Sequence, residues 1–419
     1  MSRPGVDVIS QALPVSPTVP TNTGVGFVIG TTGVTPTGPG HALVHSMTEY
    51  ESTFGARTGQ EVTYDAADVF FREGGSQLWV SSTTSTAAAA AEAEAEPPAR
   101  ARRAGNGEAG TLAAADTGVV TALGRLSKTL GPGQVFIADP VLAAAAANQS
   151  ALLAHAAASN RVALLSTTDG TAATLIAAGQ GMQADANAQY GALFAPSAIV
   201  PGVTPGTTRT VPWAAVQAGI IARNDVTLDP NIASAGDNGV SLYAIGLYAA
   251  SPAYTDTDYA NLNAAGVDMA RFIYGVIECY GYRSLANPQS GMATWLEFGN
   301  CRLAMAITAD AEAIGEGYVF AQLDGRGVTI ADFGGELSAM LSGYWNDGAL
   351  YGATAQDAFS VNVGPSVNTP TTIANGELHA ILEVRMSTMA EWVQIAIVKV
   401  PTTQPLAPPV PSGSLEAAA

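Results

Sequence analysis

The chain has 419 residues, 47% of them hydrophobic and only 12% charged, with 17 Lys and Arg against 35 Asp and Glu for a formal net charge of −18. That length allows two or three domains and a sizeable core. The acidic excess argues against nucleic acid or an anionic membrane as partner, because both need basic patches. Cys279 and Cys301 are too few for a disulfide framework and point to a reduced intracellular protein. No apolar run reaches the roughly 18 residues of a membrane span, and Met1-Ser2-Arg3-Pro4-Gly5 lacks a signal-peptide core. A charged fraction about half that of an ordinary soluble monomer leaves much of the surface neutral. That suits a protein covered by copies of itself, and equally an Ala- and Gly-rich genome.

In chain order, residues 1–20 read as an extended arm. Val6, Val8, Leu13 and Val15 are apolar, while Pro4, Pro14, Pro17 and Pro20 forbid a helix. Residues 21–81 read as a compact α/β unit. Its strands are expected at Val25–Gly30, Ala42–Val44 and Gln77–Val80, and its helices at Ser46–Phe54 and Asp65–Arg72. Residues 82–116 are a low-complexity surface insertion of alanine, alternating Glu92, Glu94 and Glu96, and Arg100, Arg102 and Arg103. Residues 117–205 alternate strand and helix: strands Val135–Ala138, Val162–Leu165 and Tyr190–Phe194, helices Ala143–Ala158 and Thr171–Gln183. Short apolar strands separated by helices imply a mostly parallel sheet covered on both faces.

Residues 206–390 form the largest unit. A helix is expected at Pro212–Ala222 and strands at Val267–Phe272 and Val276–Tyr280. A long helix follows with Leu296, Leu303, Ile307 and Ile314 on one face. Phe333, Leu337, Met340, Leu341, Tyr344 and Trp345 then recur at spacings of three and four, one apolar helix face. Asn346-Asp347-Gly348 ends that helix with residues that tolerate a left-handed backbone. Strands follow at Ala358–Val363 and near Glu377–Arg385. Residues 391–419 close the chain with a strand at Glu391–Val400, in which Val393, Ile395 and Ile397 alternate with Gln394, Ala396 and Val398, and a proline-rich tail.

No catalytic constellation stands out. There is no phosphate loop and no nucleophile elbow. Gly24, Gly26 and Gly30 miss the dinucleotide spacing. His41, His45, His155 and His379 are scattered, with no third ligand beside His41 and His45. Asp256 and Asp258 read as solvated caps, and both cysteines as small core residues. An α/β enzyme would need a polar cluster at its strand ends, and Asp139, Ser166 and Asp169 are sparse. No catalytic residue, cofactor or metal is therefore expected.

A resemblance runs over most of the chain. Pro4-Gly5-Val6-Asp7-Val8, Phe27-Val28-Ile29-Gly30-Thr31 with Gly38-Pro39, Tyr50 to Gly55, Phe70-Phe71 with Gly74-Gly75, and Trp79-Val80 come first. Val211-Pro212 with Ala218-Gly219, Ala222-Arg223 and Asp225 follow, then Leu262-Asn263 with Ala265-Gly266-Val267-Asp268, and Gly281-Tyr282-Arg283-Ser284-Leu285. Last come Trp345-Asn346-Asp347-Gly348-Ala349-Leu350-Tyr351-Gly352, Asp357-Ala358-Phe359-Ser360-Val361 and Gly376-Glu377-Leu378. In this order the segments resemble contractile tail sheath proteins. The insertion at 82–116 and the proline-rich end are not signatures of that family.

The resemblance implies an α/β and α+β multi-domain fold: a mixed-sheet core with an inserted, doubly wound-like α/β region and extended terminal arms. It implies a structural protein that polymerises as hexameric rings around an inner tail tube and contracts to drive the tube through a host envelope for genome delivery. The implied partners are other copies of the chain, the tube protein, and baseplate and tail terminator proteins, with no direct contact to nucleic acid and no membrane insertion. The implied place is a virion tail assembled in the host bacterial cytoplasm. A phage tail is the first reading, and a non-viral injection system or bacteriocin the second. Strands exchanged between subunits would link the rings, and the residues expected to carry that exchange are Val6, Val8, Val393, Ile395 and Ile397.

Overall fold

The computed structural model describes residues 22–34, 38–57, 62–83, 115–391, 393 and 395. Residues up to Ser387 form one compact unit, and Thr388–Ala419 fall outside it. The expected arm at 1–20 and nearly all of the insertion at 82–116 lie outside the described residues.

Within the compact unit the chain first lays down β1 (Gly26–Gly30), β2 (His41–Val44), α1 (Met47–Phe54), α2 (Val62–Arg72) and β3 (Leu78–Ser82). After the insertion come α3 (Thr117–Gly124), β4 (Gln134–Ile137), α4 (Pro140–Ala144), α5 (Ala146–Ala158), β5 (Val162–Ser166), α6 (Ala172–Met182) and β6 (Gly191–Ala195). Polar residues placed before apolar runs start these helices. Ser46 accepts from Glu49 N–H, Asp139 from Val141 and Leu142 N–H, and Thr171 from Thr174 N–H, each satisfying a helix N–H that has no partner inside the helix.

The next elements are β7 (Ala198–Pro201), β8 (Thr208–Val211), α7 (Trp213–Asn224), β9 (Gly246–Leu247), α8 (Asp256–Ala264), β10 (Val267–Ile273) and β11 (Val276–Cys279). One sheet of eight strands runs β11-β10-β6-β5-β4-β1-β3-β2. Its six inner strands are parallel, and β11 and β2 close the ends antiparallel. The sheet takes strands from residues 26–82, 134–195 and 267–279, so three of the expected compartments share it. All residues of β1, β4, β5 and β6 are buried, as expected of parallel strands covered on both faces. On one face Phe27, Ile29, Val135 and Ile137 meet Val119 of α3, Leu153 of α5, Leu175 of α6 and Leu262 of α8. On the other, Gln134 turns its amide to the carbonyl of Ala218 in α7, and α2 packs beside α7.

A smaller sheet, β8-β7-β9, is tied to α2 by Arg209, which bonds Asp65 and Asp68. The helix expected at 143–158 is two helices. The chain turns extended at Ala145 (φ −73°, ψ 118°). Asp139-Pro140 starts a helix early, and the Asn148 side chain donates to the carbonyl of Leu142 while accepting from Asp116 N–H. The Leu142 carbonyl also accepts from Ala145 N–H, so the Asn148 side chain ties the break to the Asp116 cap of α3.

The last part of the unit comprises α9 (Phe298–Glu316), α10 (Val328–Asn346), α11 (Ala355–Ala358), β12 (Phe359–Asn362), α12 (Pro370–Ala374) and β13 (Ile381–Val384). Leu296, expected on the first of these helices, precedes it. Phe298 instead roots the helix, edge-on to Phe194 of the large sheet and to Tyr282.

Candidate inter-subunit interface: a sheet of two strands

The residues around Trp345 shape this site. On α10, Phe333, Leu337 and Leu341 are buried, while Met340, Tyr344 and Trp345 pack half-buried against the same cores. The helix ends as its sequence requires. Gly348 adopts φ +83°, its N–H bonds Trp345 O, and Ala349 N–H reaches back to Tyr344 O, a closed glycine stop. The Trp345 indole donates to the Gly352 carbonyl at 2.9 Å. At Gly352 a Cβ would lie 2.6 Å from the Ala358 nitrogen, so only glycine fits. Thr354 and Asp357 form a capping box that starts α11 and feeds the chain into β12.

β12 and β13 pair antiparallel, with Phe359 opposite Val384, Ser360 opposite Glu383, Val361 opposite Leu382 and Asn362 opposite Ile381. Alternation splits the ladder into two faces. Phe359, Val361, Leu382 and Val384 turn toward α9 and α10, where Leu303, Ile307 and Leu341 wait. Ser360, Asn362, Ile381 and Glu383 face water, and the Ser360 hydroxyl donates to Glu383 at 3.0 Å. Arg385 N–H bonds Ala358 O. The hydrogen-bonded pairs are therefore Ser360–Glu383 and Asn362–Ile381, and the main-chain groups of Phe359, Val361, Leu382 and Val384 point to the two outer edges. Among the described residues no third strand covers either edge. Beside β13 an apolar cavity of about 450 Å³ is lined by Trp295, Ala304, Ile307, Ala311, Leu382 and Val384. A two-stranded sheet with apolar side chains and two unpaired edges is a template for further strands.

The expected exchange residues are placed as follows. Val393 and Ile395 are exposed, at 74% and 80%, and neither carries ladder pairing among the described residues. Val6, Val8 and Ile397 lie outside the described residues.

Two of the polar residues weighed for chemistry have structural partners: Asp139 caps α4 and Asp169 accepts from Ser197 N–H. The Ser166 carbonyl accepts from Gln149, while its buried hydroxyl has no hydrogen-bond partner among the described residues. Asp258 completes a capping box with Thr255, whose main-chain and side-chain bonds lower its pKa. His45 pairs with Glu49. Among the described residues no three His, Cys, Asp or Glu side chains are grouped to hold a metal. Both cysteines are free thiols and buried. Burial pushes Cys301 up to about 12, and burial with Asp268 raises Cys279, so neither forms a thiolate at neutral pH. Sequence reasoning missed one cluster. Arg302, fully buried on α9, pairs with buried Asp225 at the end of α7. An arginine set among the small and apolar residues Cys301, Leu303, Ala304 and Met305 was its signal.

No family model matches the chain, and no curated protein matches it in sequence. Solved structures do match it in fold, and they define a class: the chain has the fold of contractile tail sheath proteins. A chain of the contracted helical sheath of the anti-feeding prophage is 18% identical, with a TM-score of 0.65 over 95% of this chain and 99% of that one. A chain of the contracted sheath complex of PVC, an extracellular contractile injection system, is 16% identical, with a TM-score of 0.63 over 96% and 99%. The sheath tail protein of Desulfitobacterium hafniense is 11% identical, with a TM-score of 0.53 over 86% and 93%.

Proposed function

We propose that this chain is the sheath subunit of a contractile injection machine. It polymerises as stacked hexameric rings around an inner tube, and its contraction drives the tube through a target envelope. The observation that carries this reading is the open two-stranded sheet, set in a fold whose solved relatives are sheath proteins. Residues 1–20 and 391–400 of neighbouring copies add as strands to the outer edges of β12 and β13. Val6 and Val8, and Val393, Ile395 and Ile397, supply alternate side chains, with the cavity beside β13 receiving those on its side. Each main-chain bond contributes only about 0.5–1.5 kcal/mol net, but every subunit repeats the set. Main-chain pairing gives affinity and alternate pockets give register.

One of the aligned sheaths belongs to an extracellular contractile injection system, which supports a non-viral injection system as the second reading beside the phage tail that sequence alone favours. The remaining partners are the tube, baseplate and terminator proteins.

Negative-stain electron microscopy of the purified chain tests this. Hollow striated cylinders are expected, and deletion of residues 1–20 should leave soluble subunits that form none. Small monodisperse particles from the full chain across salt and concentration, or normal cylinders from the truncation, would overturn the reading.

A further inference from the structure

The residues that follow the N-terminal arm are tied down more firmly than a linker requires. Thr23 and Val25 are 4% and 7% exposed. The Asn22 side chain donates to Gln77 at 3.2 Å and accepts from Gly24 N–H at 3.0 Å. The buried Gln134 amide donates to the Gly24 carbonyl. A Cβ at Gly24 would lie 3.1 Å from Ala222 O and 3.3 Å from the Asp225 side chain, so the backbone lies directly on the end of α7. The Thr23 hydroxyl donates at 2.6 Å to Asp225 Oδ2. That same oxygen accepts from Arg302 Nη2. Arg302 is held in turn by the Pro230 carbonyl at 3.1 Å and the Tyr282 hydroxyl at 3.4 Å.

Arg302 sits near the start of α9. Further along that helix, Leu303 and Ile307 pack in the core beneath Phe359, Val361, Leu382 and Val384 of the open sheet, and Ile314 in the core beneath Val361 and Leu382. One carboxylate oxygen therefore joins the residue that roots the arm to the helix that carries the acceptor sheet.

We infer that Thr23, Asp225 and Arg302 are positioning residues that anchor the root of the arm to α9, so that load arriving through a donated arm passes to the sheet that receives a neighbour's strand. The inference rests on the arm exchange proposed above. It gives a subunit a stiff path between the place where it lends a strand and the place where it borrows one. The path is short, buried and built from an ion pair, and a buried ion pair broken at one partner leaves an uncompensated charge. Slack at the arm root would lower the effective concentration of the arm at its acceptor edge.

Thr23→Val keeps the side-chain shape and removes the donor, and Thr23→Ser restores it. In free subunits, hydrogen exchange at residues 23–25 should rise about tenfold in Thr23→Val and return to wild type in Thr23→Ser, with the amides of β4 and β5 unchanged. The critical concentration for sheath assembly should rise severalfold in the same variant and recover with serine. Unchanged exchange at residues 23–25, or faster exchange with an unchanged critical concentration, would overturn the anchor. The arm-exchange reading is judged separately by deletion of residues 1–20. A truncation that assembles normally removes that reading, while the exchange measurement on free subunits still decides whether Thr23 holds the root.

Discussion

The large sheet and the small one solve the same problem in opposite ways. In the large sheet the inner strands have neighbours on both edges and helices on both faces, and Phe27, Val28, Phe136 and Leu193 have no exposed surface. In the small sheet two strands cover one face only, and Phe359, Val361, Leu382 and Val384 remain half-buried. The large sheet is finished by its own chain. The small one is a fragment of a sheet, held in register by the Trp345–Gly352 turn and by Arg385 at its base. Stability is therefore concentrated where the fold is closed, and capacity for association where it is open.

The contrast predicts graded responses to substitution. Phe136→Ala in β4 should destabilise the subunit by about 3–5 kcal/mol, since a buried ring leaves a cavity in a close-packed core; denaturant unfolding would read it, and a loss below about 1 kcal/mol would deny that this sheet dominates stability. Acid should act next. His155 Nε2 lies 2.9 Å from Arg161 Nη1, and a guanidinium only donates, so the ring accepts and is neutral. Burial and the Arg161 charge push its pKa from 6.5 down to about 4. The unfolded chain thus takes up the proton at higher pH than the folded one. Its contribution is fully present above about pH 6.5 and is lost as the pH falls toward 4, by up to about 3 kcal/mol. His155→Gln should flatten the stability profile in that window, and an unaltered slope would exclude His155 as its source.

In the open sheet, Leu382→Ala should cost only about 1–2 kcal/mol, because the side chain is only partly buried. The smallest response belongs to its outer face. Ile381→Thr should change subunit stability by less than about 0.5 kcal/mol, and a larger loss would mean that this face is packed within the subunit after all.

Much of this contrast could be read from the chain. Val25–Gly30, Val135–Ala138 and Val162–Leu165 are short apolar runs bounded by glycine or polar residues, and each became a buried strand. The spacing of Phe333, Leu337 and Leu341 located the face of α10. Sequence was silent on which runs become neighbours. β10 lies beside β6 although α7 and a three-stranded sheet intervene, because strand order depends on crossover geometry that leaves no periodic trace. It was silent too on the open edges. Alternation in Ile381-Leu382-Glu383-Val384 marks an inner and an outer face, but the number of strands that join β13 is a property of the assembled sheet. The break at Ala145 leaves no trace in the pattern because alanine favours helix on both sides, and the Asn148 side chain that reaches the Leu142 carbonyl is one polar group within the alanine run.

The open sheet has a consequence for length. Under the proposed exchange, a subunit that lends two segments and borrows two has no preferred last copy, since each added ring offers the next the same unfilled edges. Growth by such a rule is unbounded in itself, and the rings at either end always hold acceptors without donors or donors without acceptors. A sleeve of defined length then needs different proteins at its two ends, one to present the first edges and one to cover the last.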